Sequence, residues 1–183
     1  MLYPEILVAG CGNPLFGDDG FGPAVIEELQ KSALPENVRA VDAGLSGPTC
    51  IFPLLDPAVT KKLIVVDIAD FGAEPGAITR LHIENLPKTG SRDIHPGSVL
   101  ESLRKIEGTI AITIIGCQPG RVPYPEMEIG LSDEVRDAVF RTAGLILDSV
   151  WRDYAAQSLC SREVYLHPPG QGTIGRVHRV RAV

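Results

Sequence analysis

The sequence predicts an α/β protein: a three-layer α/β/α sandwich built on a five-stranded, mostly parallel, twisted sheet. Three observations lead there. Short apolar runs rich in branched residues recur along the chain, amphipathic stretches at helical spacing separate them, and the composition is that of a packed globular protein. Of 183 residues, 44% are hydrophobic and 22% charged, enough for one core without metal or disulfide staples.

Four of the runs, residues 6–9, 38–41, 63–66 and 109–115, are almost continuously apolar, which is the pattern of strands buried on both faces of a parallel sheet. A fifth, residues 77–83, alternates with polar residues and suits a sheet edge. The first helix is expected over 23–31, where Ala24, Val25, Ile26 and Leu29 oppose Glu27, Glu28 and Gln30. A second falls over 96–106, with Pro96 at the first helical position and Val99, Leu100, Leu103 and Ile106 on one stripe. A long third helix opens at Ser132 or Asp133 and carries Val135, Val139, Ala143, Ile146, Leu147 and Val150 to about Trp151. Strands alternating with helices require right-handed crossovers and helices on both sheet faces.

One α/β domain is therefore expected over 1–154, followed by a C-terminal extension over 155–183. In that extension the periodicity dissolves, and it reads as a flexible tail or as an extra strand pair of 163–166 with 175–180. The tail is basic at Arg176, Arg179 and Arg181, against a formal net charge of -6 for the chain. An acidic chain lacks the basic face that phosphate neutralisation needs, so nucleic acid is excluded as a partner. With neither a signal-peptide core nor a run of about 20 apolar residues, the expected location is cytoplasmic, with no membrane partner. Cys11, Cys50, Cys117 and Cys160 are scattered without a C-x-x-C pair, and read as buried thiols.

Ligands of open parallel sheets bind beyond the carboxyl ends of the strands, so polar residues there carry most weight. The loop after the first strand delivers Asp18 and Asp19 at the start of a helix. Its glycines imitate a dinucleotide fingerprint, but Leu15 stands where the third glycine belongs and Pro14 removes a donor. For Asp18, helix capping is the structural alternative. Asp67 directly follows the buried run 63–66, where a carboxylate must be paired, hydrogen-bonded or metal-bound. Asp70, three residues later, is a decoy that could cap the following loop. His95 precedes Pro96 at a helix mouth, where the dipole keeps imidazole neutral and able to ligate. Two carboxylates and an imidazole from three loops suit a divalent transition metal with open coordination positions, without selecting which.

Gly10-Cys11-Gly12-Asn13-Pro14-Leu15-Phe16-Gly17-Asp18-Asp19-Gly20-Phe21-Gly22 resembles the opening signature of the hydrogenase maturation protease family. Asp42-Ala43-Gly44-Leu45-Ser46-Gly47 looks like that family's second motif, with Ala43 and Leu45 in place of glycine and threonine. Asp67 matches its strand-end aspartate, and His95 its helix-opening histidine. The resemblance spans roughly residues 6–151, and the overall look, including residues 16–23, is similar to proteases serving deazaflavin-reducing hydrogenases of methanogenic archaea. It implies an endopeptidase, aspartic-type or metal-dependent, that removes a short C-terminal peptide from a nickel-loaded nickel-iron hydrogenase large-subunit precursor. Asp19 and Asp67 would be catalytic, and Asp19, Asp67 and His95 would engage nickel shared with or supplied by the precursor. Two alternatives remain open: Cys11 as nucleophile with His95 as base, and a non-catalytic nickel-binding hydrogenase assembly factor.

Overall fold

The computed structural model describes residues 2–81, 103 and 108–164, with side chains to residue 157. Five strands form one sheet: β1 (Ile6–Cys11), β2 (Val38–Gly44), β3 (Lys62–Ile68), β4 (Ile78–Leu81) and β5 (Ala111–Cys117), in the order β2-β1-β3-β5-β4. All neighbours pair in parallel except β4, which runs antiparallel to β5 at the edge. The runs at 6–9, 63–66 and 109–115 became the inner strands β1, β3 and β5, the alternating run became the edge strand β4, and the run at 38–41 became β2 at the other edge, where most of its residues are only partly buried. At the sheet centre, Ala9 lies opposite Val65 and Gly10 opposite Val66, so β1 and β3 end level with each other.

Period-two alternation splits the strand residues between two cores. Ile6, Val8, Ile64, Val66 and Ile115 face a cluster that includes Phe21, Val25, Ile26 and Leu29 of helix α1 (Phe21–Gln30) and Val135, Val139, Ile146 and Val150 of helix α3 (Asp133–Val164). Leu7, Ala9, Leu63, Val65 and Ile114 face the other, which holds Ile51 of the short helix α2 (Gly47–Ile51) and Leu103. Leu103, from the expected second helix, is helical and fully buried; the other positions of 96–106 lie outside the described residues.

Helix α3 differs from the sequence reading. It runs 32 residues, through Trp151 and across the 154/155 boundary to Val164, about 48 Å at 1.5 Å per residue. Residues 163 and 164, expected as the start of a strand, are helical. The apolar stripe ends near Val150, but the sequence beyond it, with Ala155, Ala156, Gln157 and Leu159, favours helix, and its first prolines are Pro168 and Pro169. The basic residues Arg176, Arg179 and Arg181 lie outside the described residues. Among the described residues no helix is long and apolar enough to cross a membrane.

Candidate active site

The signature loop is shaped by backbone contact. Glycine lets the start of α1 press onto the ends of β1 and β3: a Cβ on Gly10 would stand 2.3 Å from the carbonyl oxygen of Gly22, and one on Gly22 would stand 2.1 Å from that of Cys11 and 2.6 Å from that of Val66. Gly12, at φ 121°, turns the chain out of β1, where a Cβ would meet the carbonyl oxygen of Asp19 at 1.9 Å. These glycines are accounted for by the seating of a helix on a sheet, which explains the imperfect dinucleotide fingerprint.

The loop aims its two aspartates differently. Asp19 turns toward the strand ends, where its Oδ2 accepts the Asn13 N–H at 2.9 Å. Asn13 is itself buried and closes the turn, its Oδ1 accepting the Leu15 N–H at 3.1 Å. Asp18 is fully buried and makes no cap for α1. Its Oδ2 accepts the N–H groups of Gly120 and Arg121 at 2.8 and 2.7 Å and the Ser132 hydroxyl at 3.0 Å, and its Oδ1 accepts the Ser132 N–H at 2.7 Å. Capping of the adjacent helix, the structural alternative for Asp18, is therefore not its role. Asp18 binds the far loop 119–132 and the entrance of α3, because three backbone donors from that loop converge on one buried carboxylate.

Asp67 sits at the end of β3, with its Oδ1 accepting the Ile68 N–H at 2.8 Å. Desolvation is the larger cause and the negative charge of Asp19 the second in pushing this carboxyl up to about 7, against the lowering effect of the Ile68 hydrogen bond. Some of the residue's surface stays open, but the carboxyl group itself is enclosed enough for burial to dominate. Asp19 and Asp67 therefore act on each other across the ends of adjacent strands, as sequence position predicts. His95 lies outside the described residues. Asp70 turns away into its own loop, accepting from Gly72 N–H at 3.1 Å and from Gln118 Nε2 at 3.2 Å.

The Cys11 thiol is buried beneath this pair and pushed far up, first by desolvation and then by Asp67, Asp42, Cys50 and Asp19. A thiol held protonated among carboxylates is a poor nucleophile, so the geometry disfavours the cysteine alternative. Cys117 is likewise buried and pushed up to about 11, and Cys50 is partly buried. Asp42 ends β2 by accepting the Gly44 N–H at 2.8 Å, and Leu45 beside it is exposed.

Two structural supports escaped the sequence reading. Gln118, directly after β5, is buried; its Oε1 accepts from Phe71 and Ala73, so it fixes the loop that follows Asp67. The strand-end rule that singled out Asp67 applies equally to Gln118. Loop 119–132 also docks on the signature loop, where Gly17 donates to the Glu128 carbonyl at 2.7 Å and Glu128 donates to that of Leu15 at 2.8 Å. Such a contact between residues more than a hundred apart has no local signal.

Known proteins share both the sequence and this architecture. The family model for hydrogenase maturation protease matches residues 23–149. The coenzyme F420 hydrogenase subunit delta of Methanothermobacter thermautotrophicus is 40% identical over 150 residues, 80% of this chain and 94% of that protein. The crystal structure of the NiFe hydrogenase maturation protease HycI from Thermococcus kodakarensis superposes with a TM-score of 0.65 at 26% identity, covering 79% of this chain and 90% of that one. The hydrogenase maturating endopeptidase HybD from E. coli gives 0.65 at 25% identity, covering 81% and 93%. A match over most of the chain, to the family that the signature loop and the later motifs resemble, assigns this chain to the hydrogenase maturation protease family.

Proposed function

We propose that this chain, a peptidase by family, removes a short C-terminal peptide from a nickel-loaded nickel-iron hydrogenase large-subunit precursor in the cytoplasm. In this reading Asp19 and Asp67 are the catalytic carboxylates, and Asp19, Asp67 and His95 engage nickel carried by the precursor. The observation that supports it most is that Asp19, from the loop after β1, lies close enough to Asp67 at the end of the neighbouring β3 for its charge to help raise the Asp67 carboxyl. Two like charges facing each other form a donor pair whose repulsion a divalent cation relieves, and oxygen donors fit such a cation. His95 enters through the family resemblance.

The chain's own part is positional. The Asn13 N–H holds Oδ2 of Asp19 and the Ile68 N–H holds Oδ1 of Asp67, so both side chains are oriented before substrate arrives. One of the carboxylates takes the proton of the attacking water as general base. Nickel, when bound, supplies polarisation of the scissile carbonyl or of that water. The test is mass spectrometry of nickel-loaded precursor incubated with substoichiometric protein. Shortening of the precursor is expected with the native chain and absent with Asp19→Ala, Asp67→Ala or His95→Ala, each checked for folding by circular dichroism. Wild-type cleavage by any one variant removes that residue from the site, and an intact precursor with the native chain sinks the peptidase reading. Precursor prepared without nickel is expected to remain uncut.

A further inference from the structure

A groove of about 420 Å³ runs from the signature loop along α1, lined among others by Pro14, Gly20, Pro23, Glu27, Asp42 and Ile129. It starts on the turn that carries Asp19. Its outer wall is Ile129, Gly130 and Leu131 of the loop 119–132, which is not a loose flap: Asp18 holds it at Gly120, Arg121 and Ser132, and the Gly17–Glu128 contact lies just before the wall. From that fixed backbone large apolar side chains stand in solvent, with Ile129 81% and Met127 72% exposed. Large apolar side chains exposed on an anchored loop, Ile129 among them on the groove itself, mark a contact surface. The charged residues among the lining are Glu27 and Asp42, both acidic. Glu27 meets Lys31 at 3.7 Å in an exposed pair, which leaves its charge available to a partner.

We infer that this groove receives an extended segment of the precursor, with an apolar residue against Ile129 and Leu131 and a basic residue toward Glu27 and Asp42. The inference rests on the peptidase reading and adds to it a chemistry for the bound segment. The occupant is the precursor because the groove is continuous with the turn that bears Asp19: a chain crossing the carboxylate pair must leave along one side of it, and this side offers an anchored apolar wall. A segment with apolar and basic character complements that wall and the two acidic residues.

The experiment measures KM and kcat for nickel-loaded precursor, alongside calorimetric binding of the same precursor and the sedimentation behaviour of each variant. Ile129→Asp is expected to raise KM about tenfold with kcat near the native value, since a lost groove contact removes binding shared by ground and transition states. Glu27→Lys should raise KM at low salt, with the effect shrinking as salt is added. Leu2→Asp, equally exposed but at the opposite, amino-terminal end of β1, controls for adding a charge at any exposed apolar position and should leave KM unchanged. Native cleavage with unaltered KM in both groove variants overturns the groove while sparing the peptidase. A change confined to self-association on Ile129→Asp also overturns it, in favour of a second copy of the chain. Precursor that binds through Ile129 without ever being shortened leaves the groove standing and removes the peptidase. Neither binding nor cleavage overturns both.

Discussion

Replacing Asp18 tests whether a residue adjacent to the candidate site acts as a structural hub. Its carboxylate is fully buried and accepts four hydrogen bonds, three on Oδ2 and one on Oδ1, from Gly120, Arg121 and Ser132. Hydrogen bonds to a charged group contribute about 1.5–3 kcal/mol each, and a buried donor left unmade costs about 1–3 kcal/mol. In Asp18→Ala the three backbone N–H groups lose their acceptor together. Gly120 and Arg121 are exposed enough to recruit water, which places the expected loss at the lower end of the summed range, about 3–5 kcal/mol. Asp18→Asn sharpens the test because it keeps the shape. Its oxygen can replace Oδ2, but its amide then points a donor at the Ser132 N–H, where 2.7 Å now separates carboxylate from donor. A loss of about 2 kcal/mol is expected for Asn, read from urea unfolding by linear extrapolation at neutral pH. An Asn variant within about 0.5 kcal/mol of the native chain would refute the hub, since effects of that size arise at surface positions away from such networks.

The pH dependence of stability should report Asp67. Its folded pKa of about 7 lies above the ordinary 3.8, so the stabilising effect of its protonated form is complete below about pH 4 and is lost as pH rises through 7. Metal-free native protein is then expected to lose about 3 kcal/mol between pH 5 and pH 8 relative to Asp67→Asn, which cannot ionise; denaturant titrations in chelator at the two pH values check this, and parallel curves would contradict it. Cys11→Ala should retain most precursor cleavage, because the thiol is buried and held protonated. Complete loss of cleavage by a folded Cys11→Ala protein would return the cysteine to the mechanism.

What could be read from the sequence divides along a physical line. Strands β1, β3 and β5 were legible because burial on both faces leaves near-continuous apolar runs, and β4 because an edge relaxes that requirement; β2 was found as a strand, but its apolar run did not reveal that it stands at the other edge. Asp67 stood out because the end of a buried strand is a poor place for a bare carboxylate, and Asp19 because its loop opens beyond the carboxyl end of the neighbouring strand. The role of Asp18 was not legible. Its local context, an acidic residue before a helix, has an ordinary explanation in capping, and its actual partners lie 102 to 114 residues away. The end of α3 was missed for a related reason. Apolar periodicity reports where a helix is covered, whereas residues beyond the covered part continue it on propensity alone.

The pairing of Ala9 with Val65 and Gly10 with Val66 makes the spacing of the two carboxylates a property of the hydrophobic interior. A slip of one residue between β1 and β3 would carry Asp67 about 3.3 Å along the strand and turn it to the opposite face. The aliphatic side chains of these strands are buried in the core, yet under the proposed function they set the gauge of the site as rails set the gauge of a track. Their shapes are therefore answerable to peptide cleavage as well as to folding, and a core repacked for stability alone could yield a sound protein with its carboxylates out of step.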